Sequence, residues 1–205
     1  MPDTQGAGIP DGLVELGRVV SAYGVKGWVK IQPHSAQADV LLKVKDWWLR
    51  APVPVLGNTG VLPLPRAVKV SACRPQGATI VAQLDLAPDR DSAEALKGYT
   101  VWVPRSAFPP AADDEYYWID LIGCRLFGDQ DGRPVLIGEV VEVVDNGAHA
   151  ILRVAGATLD EQNQLVPVLN AKGLPHEVLV PFVNAHIHVV DVAGKRIESD
   201  WPVEF

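Results

Sequence analysis

The stretch Glu115–Gly123, EYYWIDLIG, marks the point at which the organisation of the chain changes. Its three adjacent aromatic residues, Tyr116, Tyr117 and Trp118, follow a Pro-rich, acidic segment at 108–114. Side chains alternate along a strand and spread around a helix, so no regular element buries three consecutive large rings on one face. We therefore expect at least one ring to face away from the local core and to pack against another domain or a partner.

The balance of charge differs on the two sides of this stretch. Residues 1–110 carry 12 Lys and Arg against 9 Asp and Glu, a balance of +3, whereas residues 111–205 carry 6 against 16, a balance of −10. A step of this size favours two domains with different partners. The acidic half should be repelled by a phosphate backbone and attracted to a basic protein.

Short strand-like segments fill both halves of the chain. Leu13–Val20 and Trp28–Pro33 predict one hairpin, and Ile137–Val144 and His149–Val154 predict another, joined through an Asn-Gly pair. Turn signals recur about every 8–12 residues, a spacing typical of small barrels. The pattern predicts an all-β, mainly β, protein of two small antiparallel β-barrels joined by a short Pro-rich acidic linker, with a few short helices.

Two segments depart from this strand-and-turn pattern. Asp91–Gly98 predicts the clearest helix, in which Asp91 caps the first turn, Glu94 completes a capping box and Gly98 ends the helix. The polar segment 155–177, which is punctuated by Gly and Pro, predicts a loop insertion.

The first predicted hairpin contains two glycines three residues apart, Gly24 and Gly27. Glycine suits a turn that needs a positive φ or a close backbone approach, and we interpret the pair as a structural turn. The functional alternative is a phosphate-contacting loop in which Lys26 and Lys30 donate hydrogen bonds.

No catalytic motif is present in the sequence, and we expect neither a catalytic residue nor a cofactor. The best metal candidate is the pair His186 and His188, which alternation places on one face of a strand and which Asp191 or His176 could complete. Two ordinary surface histidines are the favoured interpretation, so we expect no metal. The two cysteines, Cys73 and Cys124, lie far apart and suggest neither a disulfide framework nor a zinc site.

The sequence also predicts the setting of the protein. No apolar run approaches the ~20 residues that cross a bilayer, and the N-terminal residues lack the basic and apolar regions of a signal peptide. We expect a cytoplasmic monomer that does not contact a membrane.

Five blocks, in order along the chain, resemble the bacterial ribosome maturation factors of the RimM family. They are Gly17–Val20 with Gly24–Ile31, Asp91–Gly98 with Val101–Pro104, Glu115–Gly123 with Gly138–Val140, Leu179–Val183, and Val189–Asp191. The resemblance implies an N-terminal six-stranded barrel like those of translation factors at 1–107, a linker at 108–114 and a PRC-barrel at 115–205 that contains the 155–177 insertion.

The resemblance also implies a function without catalysis. Such factors assist assembly of the small ribosomal subunit at its head, bind a basic head protein (the one numbered nineteen in that subunit) and promote processing of the small-subunit RNA. The family's adjacent tyrosines, here Tyr116 and Tyr117, are tied to subunit binding, and we add the neighbouring Trp118. We assign possible local RNA contacts to Arg18, Lys26 and Lys30, and structural roles to three glycines, Gly24, Gly27 and Gly123.

Two other function classes stay open at this point. One is a PRC-barrel interaction module of a different complex, against which the matching N-terminal half argues. The other is a small metal-dependent hydrolase built on His186 and His188, for which a third ligand is needed.

Overall fold

The structure is a computed structural model of the chain and describes residues 8–34, 39–53, 63–112 and 115–203. The predicted mainly-β class is confirmed, and the chain divides into two compact units, Met1–Pro110 and Ala111–Phe205. Asp113 and Asp114 of the predicted linker lie outside the described residues, as does most of the Pro-rich stretch at 51–65. Across the described ranges, no helix is long and apolar enough to cross a membrane.

The first unit is a closed six-stranded barrel with the strand order β1-β2-β5-β4-β3-β6, in which every pair is antiparallel. Two short helices, α1 and α2, and a 3-10 turn at Arg105–Ala107 accompany it. The strands are β1 Leu13–Tyr23, β2 Trp28–Pro33, β3 Asp46–Arg50, β4 Arg66–Gln76, β5 Thr79–Leu84 and β6 Thr100–Pro104, and the helices are α1 Asp39–Lys43 and α2 Arg90–Glu94.

Alternation along β2 shows how the barrel sorts its side chains. Val29 and Ile31 are fully buried, whereas Lys30 between them stays partly exposed on the outer face. Trp47 on β3 fills the interior, and its indole Nε1 donates a hydrogen bond to the carbonyl oxygen of Val44 at 3.0 Å. Because this N–H group has a hydrogen-bond partner, the large apolar ring can be buried without leaving an unpaired donor in the core.

The helix α2 forms at the start of the predicted stretch, but the prediction was wrong at both ends: the helix stops at Glu94, short of the predicted end at Gly98, and its N-cap differs. Asp89, not Asp91, is the N-cap residue, and its carboxylate accepts hydrogen bonds from the main-chain N of Ser92 at 2.8 Å and from the Ser92 hydroxyl at 2.6 Å. The carboxylate of Glu94 does not complete a capping box but accepts from the main-chain N of Ala22 at 3.1 Å. The helix therefore starts two residues earlier and is anchored to β1.

The second unit is a seven-stranded sheet with the order β10-β9-β8-β7-β13-β12, in which β11 also pairs with β9. Its strands β7 and β13 are parallel, so the prediction of an antiparallel sheet was wrong for this pair. The helix α3, Trp118–Leu121, precedes the sheet. The strands are β7 Arg125–Gln130, β8 Arg133–Asp145, β9 Ala150–Leu159, β10 Leu165–Pro167, β11 Glu177–Pro181, β12 Ile187–Asp191 and β13 Arg196–Ser199.

The prediction that 155–177 is wholly a loop was wrong. The strand β9 continues to Leu159, β10 returns beside it with Leu165 opposite Leu159, and Glu177 already belongs to β11. Local Gly and Pro content suggested a loop, but Leu159 and Leu165 pair across the two strands, and cross-strand apolar pairs of this kind stabilise a sheet.

The core of the second unit is formed by side chains from α3 and nearly all strands. Tyr116, Trp118 and Phe182 are partly buried and pack against it. The fully or largely buried members are Leu121, Cys124, Leu126, Ile137, Val140, Leu152, Val154, Val180, Ile187 and Ile197.

Candidate partner-binding site

The three aromatic residues differ in what they contact. Tyr116 and Trp118 pack on the core of the second unit. Tyr117, which is half-buried, is the N-cap residue of α3 with an extended backbone (φ −72°, ψ 127°) and is not among the described side chains that pack on that core. The first and third rings of the run therefore pack on the core, as alternate side chains do along an extended chain.

The helix α3 that carries Trp118 is fixed at its C-terminal end by Lys195. The Lys195 ammonium donates to the main-chain oxygens of Asp120 at 2.9 Å and of Ile122 at 3.1 Å. A cation at the last carbonyls of a helix satisfies groups that have no partner within the helix. Sequence reasoning missed Lys195, because 75 positions separate it from Asp120 and no local pattern connects them.

Tyr116 lies at one wall of a groove of about 340 Å³. Its ring meets the ring of Phe182 edge to face, with the centroids 6.0 Å apart and the planes at 82°. The other lining residues come from the segment that leads into β12 and from β12 itself: Val183, Asn184, Ile187, His188 and Val190. The sequence carried no signal for the partnership of Tyr116 with Phe182.

The two histidines predicted as the best metal candidate share one carboxylate. The Nδ1 atom of His186 lies 3.0 Å from one oxygen of Asp200, and the Nε2 atom of His188 lies 4.0 Å from the other. The His186 ring also stands edge-on to Trp201, with the centroids 5.2 Å apart. Within the described part of the chain, no group of three or more His, Cys, Asp or Glu side chains is arranged to hold a metal ion.

The three candidate RNA-contacting residues belong to the hairpin β1–β2. Arg18 is exposed and pairs with Gln32, and Lys30 pairs with Ser21. Both side chains point to the outer face of the barrel on adjacent strands, about two residues apart along β2. Lys26 is exposed in the connecting loop, beyond the paired strands.

The glycines assigned structural roles all have positive φ: 68° at Gly24, 69° at Gly27 and 77° at Gly123. A Cβ on Gly27 would lie 2.0 Å from the carbonyl oxygen of Ala87, whereas a Cβ on Gly24 would meet nothing within 4 Å. Gly123 lies between α3 and β7, where its main-chain N donates to the Val140 oxygen at 2.8 Å. Gly27 therefore serves both conformation and close packing, and Gly24 serves conformation alone.

The pKa values of the two cysteine thiols disfavour a role for either as a nucleophile. Burial raises the pKa of Cys73 to about 11, and burial also raises the pKa of Cys124. Thiols with raised pKa values stay protonated near neutral pH and are poor nucleophiles.

Known protein families and relatives match nearly the whole length of the chain. The family model described as the RimM N-terminal domain matches residues 14–108, and the one described as the RimM PRC barrel domain matches residues 118–205. A protein of Bordetella pertussis named "Ribosome maturation factor RimM" is 57% identical over 197 residues, covering 96% of this chain and 95% of its own. A protein of the same name from Bordetella petrii is 56% identical over 208 residues and covers both chains fully. A crystal structure of a RimM protein from Pseudomonas aeruginosa is 27% identical, with a TM-score of 0.40, and covers 94% of this chain and 99% of that one.

Proposed function

We infer that this chain, which belongs to the RimM family of ribosome maturation factors, is a non-catalytic assembly factor for the small ribosomal subunit. It binds the subunit head in the cytoplasm as a monomer, needs no cofactor, and promotes maturation of the subunit and processing of its ribosomal RNA. Both family domains in their order, and relatives at 56–57% identity over nearly the full length, support this inference.

The partner in this proposal is a basic protein of the head, the one numbered nineteen in the small subunit. The observation that carries it is the groove that Tyr116 and Phe182 help to line, on a unit whose balance of charge is −10. Complementary charge speeds encounter and excludes wrong partners, whereas buried aromatic contacts supply most of the affinity. An acidic surface with aromatic anchors fits a basic protein better than it fits bare RNA.

We assign Tyr117 to direct contact together with Tyr116, which lines the groove, while Trp118 supports this surface by packing on the core of the second unit. An aromatic ring supplies a large contact area at a small cost in side-chain entropy, since it has only two rotatable bonds. Tyr117 is the N-cap residue of α3, at the point where the extended backbone turns into the helix.

The experiment that tests this function measures binding to precursor small subunits and to purified protein nineteen of that subunit. The variant Tyr117→Ala should weaken both by about tenfold or more, because aromatic residues are over-represented among interface residues that cost more than ~1.4 kcal/mol when truncated. The matched control is Ile119→Ala on the same short helix, which removes a 40% exposed apolar side chain and should change binding less than twofold.

Two results would overturn the proposal. One is unmodified protein that sediments free of precursor subunits at low salt. The other is Tyr117→Ala protein that keeps full binding per folded molecule, with the folded fraction measured by circular dichroism.

Local RNA contact is assigned to Arg18, Lys26 and Lys30 on the first unit. Each phosphate contact that is lost reduces the slope of log K against log salt by about one. The double variant Lys26→Gln and Lys30→Gln should therefore bind precursor subunits with a shallower salt dependence. Its affinity for protein nineteen alone should stay unchanged, and an unchanged salt slope would remove these two residues from the RNA contact.

A further inference from the structure

The strand β12 is an end strand of the sheet in the second unit. It follows β13 at the end of the strand order, and its described pairings are to β13 alone. In an antiparallel pair, alternate residues direct their N–H and C=O groups away from the neighbour, so an edge strand presents a row of donors and acceptors. Such an edge is a template for one more strand.

The Tyr116 groove lies along this edge. Ile187, His188 and Val190 of β12 line one side of it, and the rings of Tyr116 and Phe182 line another. A strand laid beside β12 would direct alternate side chains to the two faces of the sheet, since the side-chain period of a strand is two. The same segment could therefore bond to the edge with its main chain and fill the groove with a side chain.

The charge around β12 indicates what kind of segment fits. Asp191 at the end of the strand is exposed, as is Asp200, which lies beside His186 and His188; Glu198 on β13 is half-buried and pairs with Arg196 at 2.7 Å. The unit as a whole carries 16 acidic against 6 basic residues. A segment rich in Lys and Arg with an apolar residue among them matches both the carboxylates and the groove.

We propose that the edge of β12 binds an extended segment of the basic partner protein by strand addition, with one apolar side chain of that segment packed in the groove against the rings of Tyr116 and Phe182. The proposal rests on the proposed function, because it specifies how the basic head protein contacts this unit. Main-chain hydrogen bonds to the edge give affinity in such complexes, and the pockets for alternate side chains give specificity.

The length of β12 limits the size of the contact. The strand has five residues, and its register against β13 shifts between Ile187 and Val189. Short edges and register irregularities are features that discourage uncontrolled strand pairing. Productive binding at this edge therefore needs the groove contact in addition to the main-chain bonds, which favours one specific partner over general aggregation.

The first test is residue-resolved amide hydrogen exchange with purified small-subunit protein nineteen as the probe. Amides of β12 that face the groove should exchange at least tenfold more slowly in the complex. The internal control is β10, Leu165–Pro167, the other end strand of the sheet, whose Leu165 and Val166 amides should not change.

The second test uses a pair of substitutions in the turn before β12. Asn184 is exposed and lines the groove, so Asn184→Trp should fill the groove and weaken binding of protein nineteen at least tenfold. Ala185 is exposed next to it and does not line the groove, so Ala185→Trp should bind as the unmodified protein does. Both positions are exposed, so we expect neither Trp side chain to enter the core.

The outcomes separate this proposal from the proposed function. Binding of protein nineteen with unchanged β12 amides, or equal binding by both Trp variants, would overturn strand addition and leave the proposed function standing. Absence of binding by the unmodified protein would overturn both. Protection of β12 that grows with the concentration of this chain alone would assign the edge to a second copy of the chain and overturn the proposal.

Discussion

The substitution Gly27→Ala tests whether the loop between β1 and β2 is built for packing or for ligand contact. The added Cβ would lie 2.0 Å from the Ala87 carbonyl oxygen and 2.9 Å from the main-chain N of Asp89. Both neighbours are backbone atoms, so no side chain can rotate away. The collision falls on the connection that carries the N-cap of α2, and relief requires that this connection shift.

The expected magnitude has two parts. Placing alanine at φ 69° costs about 1–2 kcal/mol. Forcing an extra carbon into a packed site with a backbone shift costs a further ~1–3 kcal/mol. The matched control Gly24→Ala has φ 68° and open space around the new Cβ, so it should cost only the first part. The two variants thus differ in packing and hardly at all in backbone conformation.

The assay is urea unfolding followed by hydrogen-exchange mass spectrometry, in which peptides of the two units are followed separately. With a denaturant slope of about 2 kcal/mol per M, Gly24→Ala should lower the midpoint of the first unit by about 0.5–1 M. Gly27→Ala should lower that midpoint by about 1–2.5 M. Peptides from β7 and β8 in the second unit serve as the internal reference and should keep their midpoint in both variants.

Equal midpoints for the two variants would refute the reasoning, because the close approach to Ala87 would then carry no free energy. A Gly27→Ala protein with normal stability and weakened binding to precursor subunits would instead support a phosphate-contacting loop.

Two further predictions concern titrating groups. Side-chain and main-chain hydrogen bonds from Ser92 lower the pKa of Asp89, so its contribution to stability is present above the ordinary pKa of an aspartate and is lost as the pH falls through the lowered value. The difference in urea midpoint between the unmodified protein and Asp89→Asn should therefore shrink as the solution is acidified, and a difference independent of pH would contradict this cap. Burial raises the pKa values of Cys73 and Cys124, so a thiol-specific disulfide reagent at pH 8 should label the native protein slowly and the urea-unfolded protein fast. Fast labelling of the native protein would contradict this prediction, because it would show that these thiols are accessible as thiolates.

Features that depend on neighbouring residues could be predicted from the sequence. The Asn146-Gly147 pair predicted the hairpin that β8 and β9 form, and the alternation of apolar and polar residues in 28–33 predicted the strand β2. The helix α2 was predicted with the wrong cap, because Asp89 and Asp91 both satisfy a local pattern. Only the folded loop decides which carboxylate reaches Ser92.

Contacts between distant residues could not be predicted in this way. The ring of Tyr116 meets Phe182, 66 positions later, and no local spacing selects that partner. The helix α3 that carries Trp118 is also held at its C-terminal end by Lys195, which comes more than 70 positions later in the chain. Sequence reasoning located the aromatic run but not the groove beside it.

The parallel pairing of β7 with β13 has a consequence for folding during synthesis. The first unit can close its barrel as soon as β6 has been made, because β6 pairs directly with β1. In the second unit, β7 lacks its parallel neighbour β13 until Arg196–Ser199 has left the ribosome. At roughly 5–20 residues per second, the ~100 residues after β6 take about 5–20 s to make. During that interval the nascent chain carries a finished barrel followed by an incomplete acidic sheet, so the first unit is available to a partner before the second.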